Sequence, residues 1–473
     1  MRIKQVTKQV LRAQRGFSMT QDTTHSVLFP ELFSKPVLAS FDQPDSSSDG
    51  GAILLKAIDT ELQLTARLAE CIHDNRQSGK IIHQLFDLFR QRVYGIACGY
   101  PDCNDAARLA DDPIHKLLLD RDPIGGNALG SQPTLSRFEN AASSKDLFKM
   151  GGELADIVIE HHAKRLKGKA RRITIDLDPT DDPTHGAQQL SFFNGHYDCY
   201  CYLPMVGTLQ FNNETEKYLF TVVLRPGNAP ASRGTIAILM RLLVRLRDAF
   251  PKTVFRVRLD GGFATPEILD YLELEEVEYL VGMAGNCRLE KRAQRLMGKV
   301  RMLSRQTGRT ETLFGETRYA ARKWSHRRRV IIKAEVVRYP GRDAKDNDRF
   351  VVTNLRDDPA TVYMIYRGRG DAENRIKELH HGLEIDRTSC TSFLANQLRV
   401  FMTAAAYVLM QEMRQRATGT DLATAQVSTL RERLLKLAVW VQGSVRRIVL
   451  HFPNNFPWLA CWKQIAQAVH AAS

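Results

Sequence analysis

Between Ile173 and Gly186 the chain reads ITIDLDPTDDPTHG, with aspartates at 176, 178, 181 and 182 behind an alternating apolar run. Carboxylates this close raise one another's pKa unless a cation sits among them. Oxygen donors suit a hard divalent cation such as Mg²⁺, which keeps several waters and needs only two or three acids. Thr174, Asp176 and Asp178 share one face of the strand, so Asp176 is the alternative ligand to Asp178. Asp181 and Asp182, before Pro183, read as turn residues. A second acid, Asp260, ends VFRVRLD against Gly261 and Gly262, small residues that let the backbone lie close to a bulky anion. A third, Glu373, shares one helical face with Tyr366 and Arg369 in YRGRGDAENRIKELHH. Two Mg²⁺ ions (or Mn²⁺) held by such acids stabilise the attacking and leaving oxygens of a phosphodiester displacement. The expected chemistry is metal-dependent cutting of DNA, with Asp178, Asp260 and Glu373 as catalytic metal ligands.

These acids need elements to hold them. RRITIDLD (171–178), HYDCYCYLPMVG (196–207) and KYLFTVVL (217–224) read as three strands, followed by an amphipathic helix over 235–250. VFRVRLD (254–260) is a strand, Thr265 and Pro266 start a helix, and VEYLVGM (277–283) is the last strand. The order β-β-β-α-β-α-β belongs, among small α/β domains, to the ribonuclease-H-like fold. In that fold the strands carrying Asp178 and Asp260 are neighbours at the sheet centre.

The expected organisation places a weakly ordered arm at 1–50 and a helical DNA-binding region at 51–165. The first part of the catalytic core follows at 166–284, then a basic β-rich insertion at 285–360. The core resumes at 361–412, with a long helix running from near Asp371 past Met410, and a mainly helical C-terminal region occupies 413–473. In the helical region, SQPTLSRFEN forms a short helix that presents Ser136, Arg137 and Asn140 outward, as a helix-turn-helix reader or as a plain packing element.

The net charge of +14 is unevenly spread: residues 285–329 carry fourteen Lys and Arg against three Glu. One-signed charge with Phe314, Tyr319 and Trp324 interleaved points to a polyanion partner, and Arg322, Lys323, Arg327, Arg328 and Arg329 are candidate DNA contacts. The eight cysteines form no paired CxxC knuckles and read as reduced thiols. The N-terminus lacks an apolar signal core, and the apolar run around Val400–Met410 is too short to span a bilayer, so a cytoplasmic protein without a membrane role is expected.

The stretches DLDPTDDPTHGAQQLSFFNGHYDCYCYLPM, VRLDGGFATPEIL and YRGRGDAENRIKELHHGLEIDRTSC resemble the DDE transposases of bacterial insertion sequences, specifically the IS1380 family, related to the IS4-type group. RQRVYGIACGYPDCNDAARLADDPIHKLLL and RRIVLHFPNNFPWLACW are similar to the same family, so the resemblance covers most of the chain from about residue 40. It implies Asp178, Asp260 and Glu373 as the acidic triad, with Tyr366 and Arg369 orienting DNA phosphates. The signature lysine has no match at its position, which is His380; Lys377 is the nearest lysine, and either could contact phosphate. The resemblance further implies nicking at terminal inverted repeats, attack of the freed 3′-OH on target DNA, and a homodimer on paired ends. Trp324 is a candidate to stack on a flipped base. A ribonuclease-H-like nuclease that never joins strands, and a catalytically silent DNA-binding regulator derived from a transposase, are the rival readings. A glycosidase with paired carboxylates fits the basic block poorly.

Overall fold

The computed structural model describes residues 26–28, 32–39 and 42–470. Most of the arm expected over 1–50 lies outside the described residues. Within it, Ser26–Leu28 pairs with Val37–Ala39, and Ser46–Ser47 edges onto the C-terminal strand Val439–Ser444.

The helical region holds α1 (Ile53–Leu62), α2 (Leu85–Ala97), α3 (Gln132–Glu139) and α4 (Ser144–Arg165). Helix α4 starts at a capping box: the Ser143 hydroxyl accepts from the Asp146 amide and the Asp146 carboxylate accepts from the Ser143 amide. Its Leu147, Met150, Leu154 and Val158 form the buried stripe. Buried Arg92 of α2 donates to buried Glu139 of α3 at 2.8 Å, so α2 and α3 are joined by an internal ion pair as well as by apolar contact.

Strands β1 (Arg172–Pro179), β2 (Met205–Phe211) and β3 (Tyr218–Val223) follow, then α5 (Thr235–Ala249), β4 (Val254–Leu259), α6 (Pro266–Leu274) and β5 (Glu278–Met283). They pair in the order β3-β2-β1-β4-β5, with β4 parallel to both β1 and β5, and β2 antiparallel to β1. The second strand differs from the expected 196–207. Pro204 has no N–H for a ladder and divides that stretch into Cys199–Tyr202, which joins a small separate sheet, and β2.

The insertion also differs from expectation. Its basic run opens as the 21-residue helix α7 (Cys287–Thr307), started by the Asn286 side chain accepting from the Arg288 and Leu289 amides. Leu289, Ala293, Met297 and Val300 are its buried face, while Arg288, Lys291, Arg292, Arg295, Lys299, Arg301 and Arg305 are all exposed. The strands β6 (Glu311–Tyr319), β7 (Arg328–Val337) and β8 (Lys345–Thr353) do not form a sheet of their own. β8 pairs with β5, so the insertion extends the central sheet to eight strands.

The chain returns through α8 (Pro359–Arg367), α9 (Gly370–Leu383) and α10 (Phe393–Arg416). The single long helix expected past Asp371 is therefore two, separated at 384–392. Helix α10 is long and apolar enough to cross a membrane by composition, yet 89% of its apolar window is buried against the rest of the chain. It packs on β3, α2 and α4 as a core helix. All eight cysteines are free.

Candidate active site

Two strand ends and one helix junction build the site. On the buried face of β1 opposite Ile173, Ile175 and Leu177, the side chains alternate Thr174, Asp176, Asp178. The parallel register sets Arg258 of β4 beside Asp176. β4 ends at Leu259, so Asp260 follows directly at the same C-terminal edge of the sheet that carries Asp178. Asp260 caps the turn Gly261–Phe263 by accepting from the Gly262 amide at 2.8 Å.

The third acid arrives from the break between α8 and α9. Arg369 lies at that break and donates to Asp178 at 2.6 Å through one guanidinium nitrogen and to Glu373 at 3.2 Å through the other. A guanidinium thus joins the first and third acids, rather than a direct carboxylate contact. The Tyr366 hydroxyl occupies the space over Gly282 where any Cβ would sit, beside Asp260 and Gly261. Gly282 is what admits the tyrosine.

Burial pushes the Asp178 carboxyl up to about 7; Arg369 opposes the rise, while Asp260, Glu373 and Asp176 add to it. Burial likewise raises the Tyr197 phenol to about 12, with Asp181, Asp178 and Asp260 contributing. A cluster of carboxylates in which one is held partly protonated by burial, with its acidic neighbours adding to the rise, gains from an added cation. The donor set is all oxygen, as Mg²⁺ or Mn²⁺ requires. The residues present fit a divalent ion, with Asp178, Asp260 and Glu373 as the residues that would hold it.

Asp178 also makes a pH prediction. Its folded-state value lies above the ordinary 3.8, so its contribution to stability is full below about 3.8 and is lost as pH rises through about 7. In EDTA, the melting temperature of Asp178→Asn minus that of the wild type should therefore increase between pH 5 and pH 8. A constant difference would contradict the shift.

The structure divides the remaining site residues. Asp176, the alternative ligand, is corrected: it is 2% exposed and its carboxylate is taken by Arg258 at 2.7 Å and Lys217 at 3.1 Å. Asp182 is no surface turn residue; it is buried and accepts from the Thr388 hydroxyl at 2.8 Å. His380 is tied on both ring nitrogens, to the Thr180 hydroxyl at 3.0 Å and to Asp386 at 3.3 Å, whereas Lys377 is exposed one turn beyond Glu373. Of the basic candidates, Arg137, Arg322, Lys323 and Arg327 are exposed. Arg328 is corrected: it is buried, and it spends its guanidinium on Glu273 at 2.7 Å and on Asp270. Arg329 is held by Glu316 and by the carbonyls of Leu355 and Asp357.

Trp324 is corrected as well. It is 8% exposed, edge-on to Tyr319, with Arg328 above its ring, and so is an anchor of the insertion. Trp324→Ala should lower unfolding free energy by about 3 kcal/mol in a denaturant titration, with DNA affinity of the folded fraction unchanged. A selective loss of DNA affinity at full stability would return Trp324 to the DNA surface.

The insertion reaches the site directly. A cleft of about 520 Å³ opens between Phe314, Lys333 and Glu335 on one side and Tyr363, Tyr366, Arg369 and Glu373 on the other. Three further groups, Asp49–Cys98–His115, His161–His162–Glu412 and Asp270–Glu273–His326, bring metal-type ligand atoms within 4.8 Å of one another. Each already holds a side-chain cation: Lys436 on Asp49, Arg416 on Glu412 and Arg328 on Glu273. The triad does not form so tight a group.

Sequence reasoning missed Lys217 and Arg258. An arginine in the middle of a central strand was the available signal, because a buried cation demands an acid partner.

Two aspartates at the ends of neighbouring parallel strands, with a glutamate on an adjoining helix, place the molecule with the DDE class of carboxylate sites. The family model described as transposase DDE domain group 1 matches residues 29–473, and the chain belongs to that family. No curated protein matches the chain significantly.

Proposed function

We propose that the protein is an insertion-sequence transposase of the IS1380 type, built on a ribonuclease-H-like core. It nicks DNA at terminal inverted repeats and joins the resulting 3′-OH ends to target DNA. The observation that supports this reading is that parallel β1 and β4 end at one edge of the sheet, with Asp178 in β1 and Asp260 just after β4, together with Arg369 linking Asp178 to Glu373. Two Mg²⁺ ions, or Mn²⁺, would supply Lewis-acid stabilisation of the attacking and leaving oxygens.

The chain's own groups do the rest. Asp178, Asp260 and Glu373 supply the negative oxygens. Arg369 offers a planar fork to a phosphate, with the Tyr366 hydroxyl beside it and Lys377 one turn along α9. The exposed basic face of α7, with Arg322, Lys323 and Arg327, grips the DNA backbone nonspecifically. Arg137 on α3 serves the helical DNA-binding region at 51–165. Two copies act on paired ends, in the cytoplasm, without a membrane.

Joining separates this reading from a nuclease. A duplex carrying the gene's flanking sequence with a pre-cut 3′-OH end is incubated with the protein, Mg²⁺ and a supercoiled plasmid. Covalent attachment of the duplex to the plasmid is expected. Cleavage of flanking DNA with no joined product at any concentration would favour the nuclease, and binding with neither product would favour the regulator.

A further inference from the structure

Beneath the α8–α9 break lies a buried group of three charges. Asp176 accepts from Arg258 Nε at 2.8 Å and Nη2 at 2.7 Å, and from Lys217 Nζ at 3.1 Å. Their side chains are 2%, 6% and 0% exposed. Two cations against one anion leave a surplus positive charge away from water, which is costly unless further groups satisfy it.

Those groups are the Gln210 side-chain oxygen, which accepts from Arg258 Nη2 at 3.1 Å, and carbonyls at the end of α8. Arg258 Nη1 donates to the Ile365 carbonyl at 3.1 Å, and Lys217 Nζ donates to the Gly368 carbonyl at 2.6 Å. The last carbonyls of a helix lack intrahelical partners and carry its negative pole, so cations there both satisfy and hold them. The packing is close from the helix side too: a Cβ on Gly368 would lie 2.6 Å from Arg258 Nη1. The next residue along the chain is Arg369, which reaches Asp178 and Glu373.

The geometry points to Lys217 and Arg258, held by Asp176, as positioning residues that lock the α8–α9 junction and so fix Arg369 and Glu373 against Asp178. None of the three touches DNA or a metal in this role. The inference rests on the transposase reading for its catalytic consequence, but the locking itself can be measured without activity.

The test uses the full-length Lys217→Met protein. That change removes the surplus charge and leaves Asp176 and Arg258 as a neutral pair, so the fold is expected to hold. Amide hydrogen exchange of residues 368–373 should accelerate about tenfold or more, the worth of one charged hydrogen bond, while β1 amides keep their protection. On DNA ends, kcat should fall by about tenfold or more with KM within about twofold. Gly368→Ala, whose side chain would push Arg258 aside, should give the same local exchange change and serves if Lys217→Met fails to fold. Unchanged exchange at 368–373, or exchange raised equally across β1 and α10, would overturn the positioning role whatever the cleavage result. A wild type that never cuts, with the local exchange change present, would sink the transposase reading and leave the lock standing.

Discussion

Glu373→Gln should abolish DNA strand cleavage, by about 10³-fold or more, while leaving the melting temperature within about two degrees of wild type. The size follows from removing one full negative charge from a site whose task is electrostatic stabilisation of a displacement. The spared fold follows from exposure. Glu373 is half exposed at its side chain, and its one ion pair among the described residues, to Arg369, is 3.2 Å long. Surface pairs of this kind are worth little to stability. Arg369 also keeps its shorter contact to Asp178. Cleavage assayed beside differential scanning calorimetry checks both halves, and a destabilised Glu373→Gln would show that the glutamate is a packing residue.

Five residues along the same helix the expectation reverses. Glu378 is 4% exposed at its side chain and accepts from Arg414 at 2.7 Å, Arg375 at 3.0 Å and the Tyr407 hydroxyl at 2.7 Å. Arg414 and Tyr407 belong to the core helix α10, so Glu378 is the polar bolt between α9 and the interior. Its carboxyl stays below the usual range: burial would raise it, and Arg414, Arg375 and Tyr407 more than offset that. Glu378→Ala leaves the buried Arg414 guanidinium with the Glu216 carboxylate and the Ala425 carbonyl as its remaining partners among the described residues. Breaking a buried pair in this way costs about 3–5 kcal/mol. Urea titration should show that loss, and cleavage should fall only as far as the folded fraction does. A fully stable Glu378→Ala would mean that α9 is held by its apolar residues alone.

How far these roles could be read in advance varied with how local their cause is. Alternation in RRITIDLD was enough to put a strand there, and the glycines after Asp260 to end another. The pairing of those strands came from the order of elements, and their parallel pairing puts Asp260 and Asp178 at the same end of the sheet. Alternation could not choose between Asp176 and Asp178, since both face the same way. The choice is made by Arg258 of β4 and Lys217 just ahead of β3.

The insertion was the harder case. Leu289, Ala293, Met297 and Val300 have helical spacing, yet seven cations among them drew attention to charge instead of period. Trp324 in that block is next to exposed Lys323, and one residue of register separates an exposed cation from a core anchor. The pairing of β8 with β5 joins segments about seventy residues apart and leaves no local trace.

The proposed transposase activity requires Asp178, Asp260 and Glu373 to serve one DNA-cutting site. The most direct measurement is strand cleavage on DNA carrying the gene's flanking sequences, in Mg²⁺, with wild type and Asp260→Ala side by side. Asp260 has no neighbouring aspartate to replace it, and the only hydrogen bond of its side chain among the described residues is from the Gly262 amide. Cuts at the element ends by the wild type, lost in EDTA and lost in Asp260→Ala, are the expected result. Cuts that persist in a folded Asp260→Ala protein would rule out Asp260 as a member of the catalytic site and with it the proposed triad.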